Sequence, residues 1–147
     1  MGSLHVGIDL GTTNSALATY DGSTVSVVAN SAGEPLTPSV VRIDARGNVS
    51  VGRRAQRFLE SDAANTRAEF KRLMGSAEGL LFPASNKTVR AEELSAHILT
   101  SLLADAADVL GFRVQAAVIS TPALFAASSA CATHPVTDRS PCGSFAR

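Results

Sequence analysis

Ten residues, Val6 to Ser15, read Val-Gly-Ile-Asp-Leu-Gly-Thr-Thr-Asn-Ser. A short apolar run that ends in a carboxylate and is followed by a glycine and two hydroxyls suits a metal-nucleotide site. The run reads as a buried strand, and Gly11 permits a tight turn at its carboxyl end. Backbone N–H groups of such a turn, with the Thr12 and Thr13 hydroxyls, can donate to phosphate oxygens, while Asp9 can hold Mg2+ directly or through its water shell. For the first six residues alone, a buried strand and a turn whose polar groups satisfy their own backbone is the simpler reading. The full string is far more specific.

Other phosphate and catalytic signatures are absent. The chain has no Gly-Lys-Ser or Gly-Lys-Thr and no G-x-G-x-x-G. No serine sits in a nucleophile elbow, and His5, His97 and His134 lack metal-ligand spacing. Lys plus Arg and Asp plus Glu both number 13, so the net charge is zero, with no electrostatic case for nucleic acid or an anionic membrane. The one basic run, Arg53-Arg54 with Arg57, reads as a solvated helix face. No stretch approaches the roughly 20 apolar residues of a membrane span, and no secretory signal opens the chain, so a cytoplasmic protein is expected.

The elements that must position the Gly11 turn follow from periodicity. Strands are expected at His5 to Leu10, Ser15 to Tyr20 and Thr24 to Val28, with an Asp21-Gly22 hairpin turn. A loop over Asn30 to Pro38 leads to strands at Ser39 to Ile43 and Val49 to Val51, joined by a turn at Asp44 to Asn48. From Gly52 the spacing of Ala55, Phe58 and Leu59 turns helical. Thr66 and Glu69 have capping-box spacing for a second short helix that carries Lys71 and stops at Gly75. One short strand around Leu80 to Phe82 is expected before a long helix, Glu92 to Leu110. That helix has Leu94, Ile98, Leu102, Ala106 and Val109 on one side and Gly111 as its stop. A final strand at Val114 to Ser120 implies a crossover onto a parallel neighbour, hence mixed α/β.

The string Asp9 to Ser15 closely resembles the first phosphate-binding segment of the seventy-kilodalton heat-shock (DnaK-type) chaperones, members of the actin and sugar-kinase superfamily. Four more segments match that family in order: Thr37-Pro-Ser-Val-Val, Val51-Gly-Arg-Arg-Ala, Phe70-Lys-Arg-Leu-Met-Gly and Ala117-Val-Ile-Ser-Thr-Pro-Ala-Leu-Phe125. A sugar kinase or an actin would not reproduce this series, and Lys71 to Ser76 looks most like the HscC branch. The resemblance implies a ribonuclease-H-like (actin-like ATPase) mixed sheet, the first part of one lobe, with a small inserted α/β subdomain at about residues 38 to 110. It further implies that Gly11, Thr12, Thr13 and Asn14 contact ATP or ADP phosphates and that Asp9 holds Mg2+ through water, with K+ as an accessory cation. Lys71 would be the catalytic lysine, its ammonium offsetting charge at the γ-phosphate and orienting the attacking water. Pro122 would belong to the switch that relays nucleotide state to a substrate-binding domain. Where the family has Tyr two residues later, this chain has Leu124.

After Phe125 the family-like pattern gives way to a stretch with two prolines, both cysteines (Cys131 and Cys142) and no periodicity. Residues 1 to 125 are therefore expected to be nucleotide-binding, and 126 to 147 an irregular tail from a reading-frame change or a truncated gene. The implied function is that of a chaperone ATPase coupling ATP hydrolysis to binding and release of unfolded polypeptide, with a J-domain co-chaperone. The alternative is a non-catalytic remnant or an interaction module. With one arm of the site, weak nucleotide binding and little hydrolysis are expected of this chain alone.

Overall fold

The computed structural model describes residues 4 to 120. Its centre is the hairpin of β1 (His5–Leu10) and β2 (Asn14–Tyr20), paired antiparallel from His5 opposite Tyr20 to Leu10 opposite Ser15. Strand alternation places Val6, Ile8 and Leu10 beside Ser15, Leu17 and Thr19 on one buried face. On the other side of β2 lie β3 (Val25–Val28) and, further along, the two-residue β4 (Thr37–Pro38). Asp21 fixes the β2–β3 turn. Its Oδ1 accepts from the backbone N–H groups of Ser23 and Thr24, both at 2.8 Å, and these bonds lower its carboxyl below the ordinary carboxylate value.

Beyond β4 the chain builds a second sheet, with β5 (Val41–Ile43) between β6 (Val49–Val51) and β7 (Thr66–Arg67). Between β6 and β7 lies a four-residue helix, α1 (Arg53–Gln56). A 3-10 helical turn at Phe70–Leu73 follows, then the hairpin of β8 (Gly79–Phe82) and β9 (Lys87–Arg90). The long helix α2 (Ala91–Leu110) packs Leu94, Ile98, Leu99, Leu102 and Ala106 into a core shared with β1, β2, β5, β8 and β9. Acidic Glu92 and Glu93 occupy its first turn, and Gly111 closes it at φ 75°, donating to Ala107 O at 2.9 Å. The last strand, β10 (Val118–Ser120), lies parallel to β1, so the main sheet is mixed.

Several expectations are corrected. Thr66 does not cap a helix: it pairs with Arg42 as part of β7, and its hydroxyl donates to Asp62 O at 2.9 Å. Glu69, at φ 53°, instead pairs on the surface with Arg72. Cross-strand pairing outcompetes the local capping pattern there. The helix begun at Arg53 ends at Gln56, and Phe58 lies under the Arg42 guanidinium, 4.1 Å from its ring centroid. The strand expected from Ser39 begins only at Val41, the last strand is confined to Val118–Ser120, and β9 adds a strand where loop was read. Val109 is 61% exposed, because the contact stripe of α2 has rotated away from it by its last turn.

Among the described residues, nothing covers the opposite face of the main sheet. Gly7 and Ala18 stand in register with Val118 and Val27, which are exposed, and a Cβ added to Gly7 would meet nothing within 4 Å.

Ile98 is fully buried, so Ile98→Ala should cost about 2–5 kcal/mol in urea unfolding. Val109→Ala should stay within about 0.5 kcal/mol of the parent.

Candidate functional site

Leu10 ends β1 on the buried side, and the chain reverses through Gly11, Thr12 and Thr13 into β2. The reversal is tight: a Cβ on Gly11 would lie 2.1 Å from Asn14 O, so no other residue fits without moving the backbone. Thr13 O accepts from the N–H of Ser39 at 2.8 Å, which clamps the turn to the segment between β4 and β5. Thr13 and Asn14 are exposed and Thr12 partly so. Among the described residues, neither threonine hydroxyl has a hydrogen-bond partner.

Lys71 reaches this turn from 60 residues away. Its position is set by Phe70 and Met74, which anchor the 3-10 turn in the core. Two bonds tie the end of that turn to α2: Gly75 N–H donates to Glu92 Oε1 at 2.9 Å, and Ser95 Oγ donates to Met74 Sδ at 3.2 Å. The Lys71 side chain is 1% exposed, the largest of the fully buried side chains. Its ammonium donates to the Gly11 carbonyl, to Ser15 Oγ at 3.0 Å and to Ser39 Oγ at 3.1 Å. Ser39 Oγ donates to Gly11 O at 2.9 Å, which leaves the Ser15 proton for the 2.9 Å contact between the two serines. Three ammonium donors and two hydroxyl donors thus meet three oxygens with no donor unused.

Asp9 projects from the face of β1 opposite Leu10 and is exposed. Ser120 Oγ donates to its Oδ1 at 2.7 Å, so the parallel partner strand orients the carboxylate. Burial lowers Lys71 from its ordinary 10.5 to about 7, and the charge of Asp9 opposes that fall.

The structure therefore brings Asp9, Gly11, Thr12, Thr13, Asn14 and Lys71 around one turn. Ser15, Ser39 and Ser120 join them and were not singled out from sequence. Ser15 was legible in principle, since alternation puts a hydroxyl on the buried face beside Leu17, where it needs a partner. Ser39 lies in the family-like Thr37-Pro-Ser-Val-Val segment, but nothing local in that segment signals its contacts with the Gly11 turn and Lys71. Pro122, Leu124 and both cysteines lie outside the described residues.

A model of the family described as Hsp70 protein matches residues 5–79 and 78–137. This chain belongs to the Hsp70 family. Chaperone protein dnaK of Phaeodactylum tricornutum is 37% identical to it over 142 residues, covering 82% of this chain and 23% of that protein. The chain thus spans about a quarter of the length of that curated relative. The second family match continues past Phe125, where the sequence reading placed the end of the resemblance. Mixed α/β content and the mixed sheet agree with an actin-like ATPase fold in this Hsp70-family chain.

The turn's donor set fits a magnesium–phosphate group. It offers two hydroxyls without partners among the described residues and one exposed carboxylate, hard oxygen chemistry of the kind that holds Mg2+ through its waters. No group of three or more His, Cys, Asp or Glu that could cage a metal occurs among the described residues. The basic run lines a cleft of about 590 Å³ against α2, where Arg53 is held by Glu34 at 2.7 Å and by Gln56 at 2.9 Å.

Because Lys71 titrates near 7 when folded and near 10.5 when unfolded, the unfolded chain binds the extra proton between those values. Stability should therefore rise with pH across about 7 to 10.5. Urea unfolding of the parent and of Lys71→Met should show the parent gaining relative to the variant over that window, with no relative change below it.

Proposed function

We propose that this chain supplies one wall of the ATP site of an Hsp70-type chaperone, whose whole form couples ATP hydrolysis to binding and release of unfolded polypeptide. The supporting observation is the convergence of the buried Lys71 ammonium on the Gly11 turn. In this reading Gly11 to Asn14 receive the phosphates of ATP or ADP through backbone N–H groups and the Thr12 and Thr13 hydroxyls. Asp9, oriented by Ser120, holds Mg2+ through water, and Mg2+ when bound neutralises charge on the phosphoryl oxygens. Lys71 contributes a positive charge from a buried position, where low polarizability of the surroundings makes it count for more than in water. Its catalytic part is to stabilise charge on the transferred phosphoryl group and to orient the attacking water.

The finer assignments follow the family resemblance. Lys71 to Ser76 favours the HscC branch, residues about 38 to 110 form the inserted subdomain, and Pro122 acts in the nucleotide switch. A J-domain co-chaperone, K+ as an accessory cation and a cytoplasmic setting complete the reading.

One wall orients phosphates but does not enclose them, so the 147-residue chain alone should bind Mg-ATP more weakly than the micromolar range and show no turnover. Titration calorimetry and a phosphate-release assay measure both. Turnover abolished by Lys71→Ala would show instead that this chain is an enzyme by itself. Failure of Mg-ATP at millimolar concentration to perturb the amide resonances of Gly11 to Asn14 would sink the nucleotide reading.

A further inference from the structure

Lys71 is bonded to the protein through every donor it has. A lysine that waits for an anionic ligand in solvent keeps its ammonium hydrated and mobile. This one is 1% exposed, and its three N–H groups are spent on Gly11 O, Ser15 Oγ and Ser39 Oγ. The two serines come from different elements. Ser15 lies on the inner face of β2, and Ser39 on the connector between β4 and β5. Both are 1% exposed, and their oxygens are 2.9 Å apart. Neither packs as a small hydrophobe would, because each oxygen accepts from the ammonium.

Ser39 is bound at more than one atom. Its N–H holds Thr13 O, its Oγ–H holds Gly11 O, and its oxygen lone pairs take Lys71 and Ser15. One residue thus fixes both ends of the Gly11 turn and the amine beneath it. We propose that Ser15 and Ser39 are positioning residues for Lys71. They act as neutral stand-in acceptors that hold the ammonium at the base of the turn before a phosphate arrives, so that a phosphoryl oxygen displaces one acceptor of an already placed lysine. This assignment rests on the phosphate-site reading of the turn only in its last step, because the contacts that place Lys71 are all with this chain's own oxygens.

An ammonium without acceptors in this position would be an unpaired buried charge, which is strongly unfavourable and would expel its proton. Neutral hydroxyls satisfy it without the competition a carboxylate would offer. A carboxylate at position 15 or 39 would hold Lys71 in a buried ion pair that a phosphate must break, whereas a hydroxyl gives up a single neutral acceptor.

The chain has only two lysines, Lys71 and the exposed Lys87, which makes the test direct. In the full chain labelled with 15N-lysine, at about pH 5.5 where the amine is charged, Lys71 should give a resolved ammonium 1H–15N signal. Lys87 should lose its signal to exchange with water. Ser39→Ala and Ser15→Ala should each broaden the Lys71 signal beyond detection while β1 and β2 amides keep their dispersion. Ser39→Cys, which keeps the volume with a weaker acceptor, should do the same, and Ser39→Thr, which keeps the hydroxyl, should restore the signal. Absence of the signal in the parent, or its persistence in both alanine variants with the sheet intact, overturns the assignment. If an alanine variant loses the sheet amides, the comparison of Cys with Thr at position 39 decides by itself. Addition of Mg-ATP to the parent should shift the Lys71 signal. Serine dependence without that shift would keep the positioning role and remove the nucleotide reading.

Discussion

One ammonium buried against three neutral oxygens organises the molecule. A charged amine at 1% exposure is tolerated only where its donors are all accepted, and here the acceptors come from the β1–β2 turn, from β2 and from the connector after β4. The lysine rides on a 3-10 turn held by Phe70, Met74 and the first turns of α2. Satisfying one charge therefore requires the hairpin, the connector and the helix to be mutually placed. The geometry of the candidate site and the packing of the second sheet on the first are in this sense a single constraint.

The same constraint explains the composition of the turn. Gly11 is needed because the chain reverses so sharply that a Cβ would meet Asn14 O, and its carbonyl is turned inward to accept from both Lys71 and Ser39. With the carbonyl so engaged, the Thr12 and Thr13 hydroxyls of the turn have no partner among the described residues. Asp9 stands on the other face of the hairpin, and its charge reaches Lys71 through the sheet. A turn that is bound from below and unsatisfied above is suited to an anionic ligand with a cation at its side.

Legibility from sequence tracked the range of the interactions. β1, β2 and α2 carry their own signals, alternation in Val6, Ile8 and Leu10 and a helical stripe through Leu94, Ile98 and Leu102, and they appear within a residue or so of the expected bounds. Thr66 and Glu69 satisfied a local pattern that Arg42, two dozen residues earlier, overrode by pairing with Thr66. β9 was missed because Lys87 to Arg90 bury only Val89 and alternate too briefly to register. At the site, Asp9 and Gly11 to Asn14 were visible as a contiguous string and Lys71 through family likeness. Ser39 was not, because its role exists only across separations of 24, 28 and 32 residues.

The bond from Ser120 to Asp9 spans 111 residues, and β10 joins β1 only after α2 has been traversed. Closing so long a loop costs chain entropy that the local β1–β2 hairpin does not incur. As the polypeptide emerges during synthesis, the hairpin and its glycine turn can form from the first twenty residues, but the carboxylate receives its orienting partner only when residue 120 has been added. The β1–β2 hairpin is thus the earliest piece of the site, the Ser39 and Lys71 contacts with its turn come later, and the Ser120–Asp9 contact comes last.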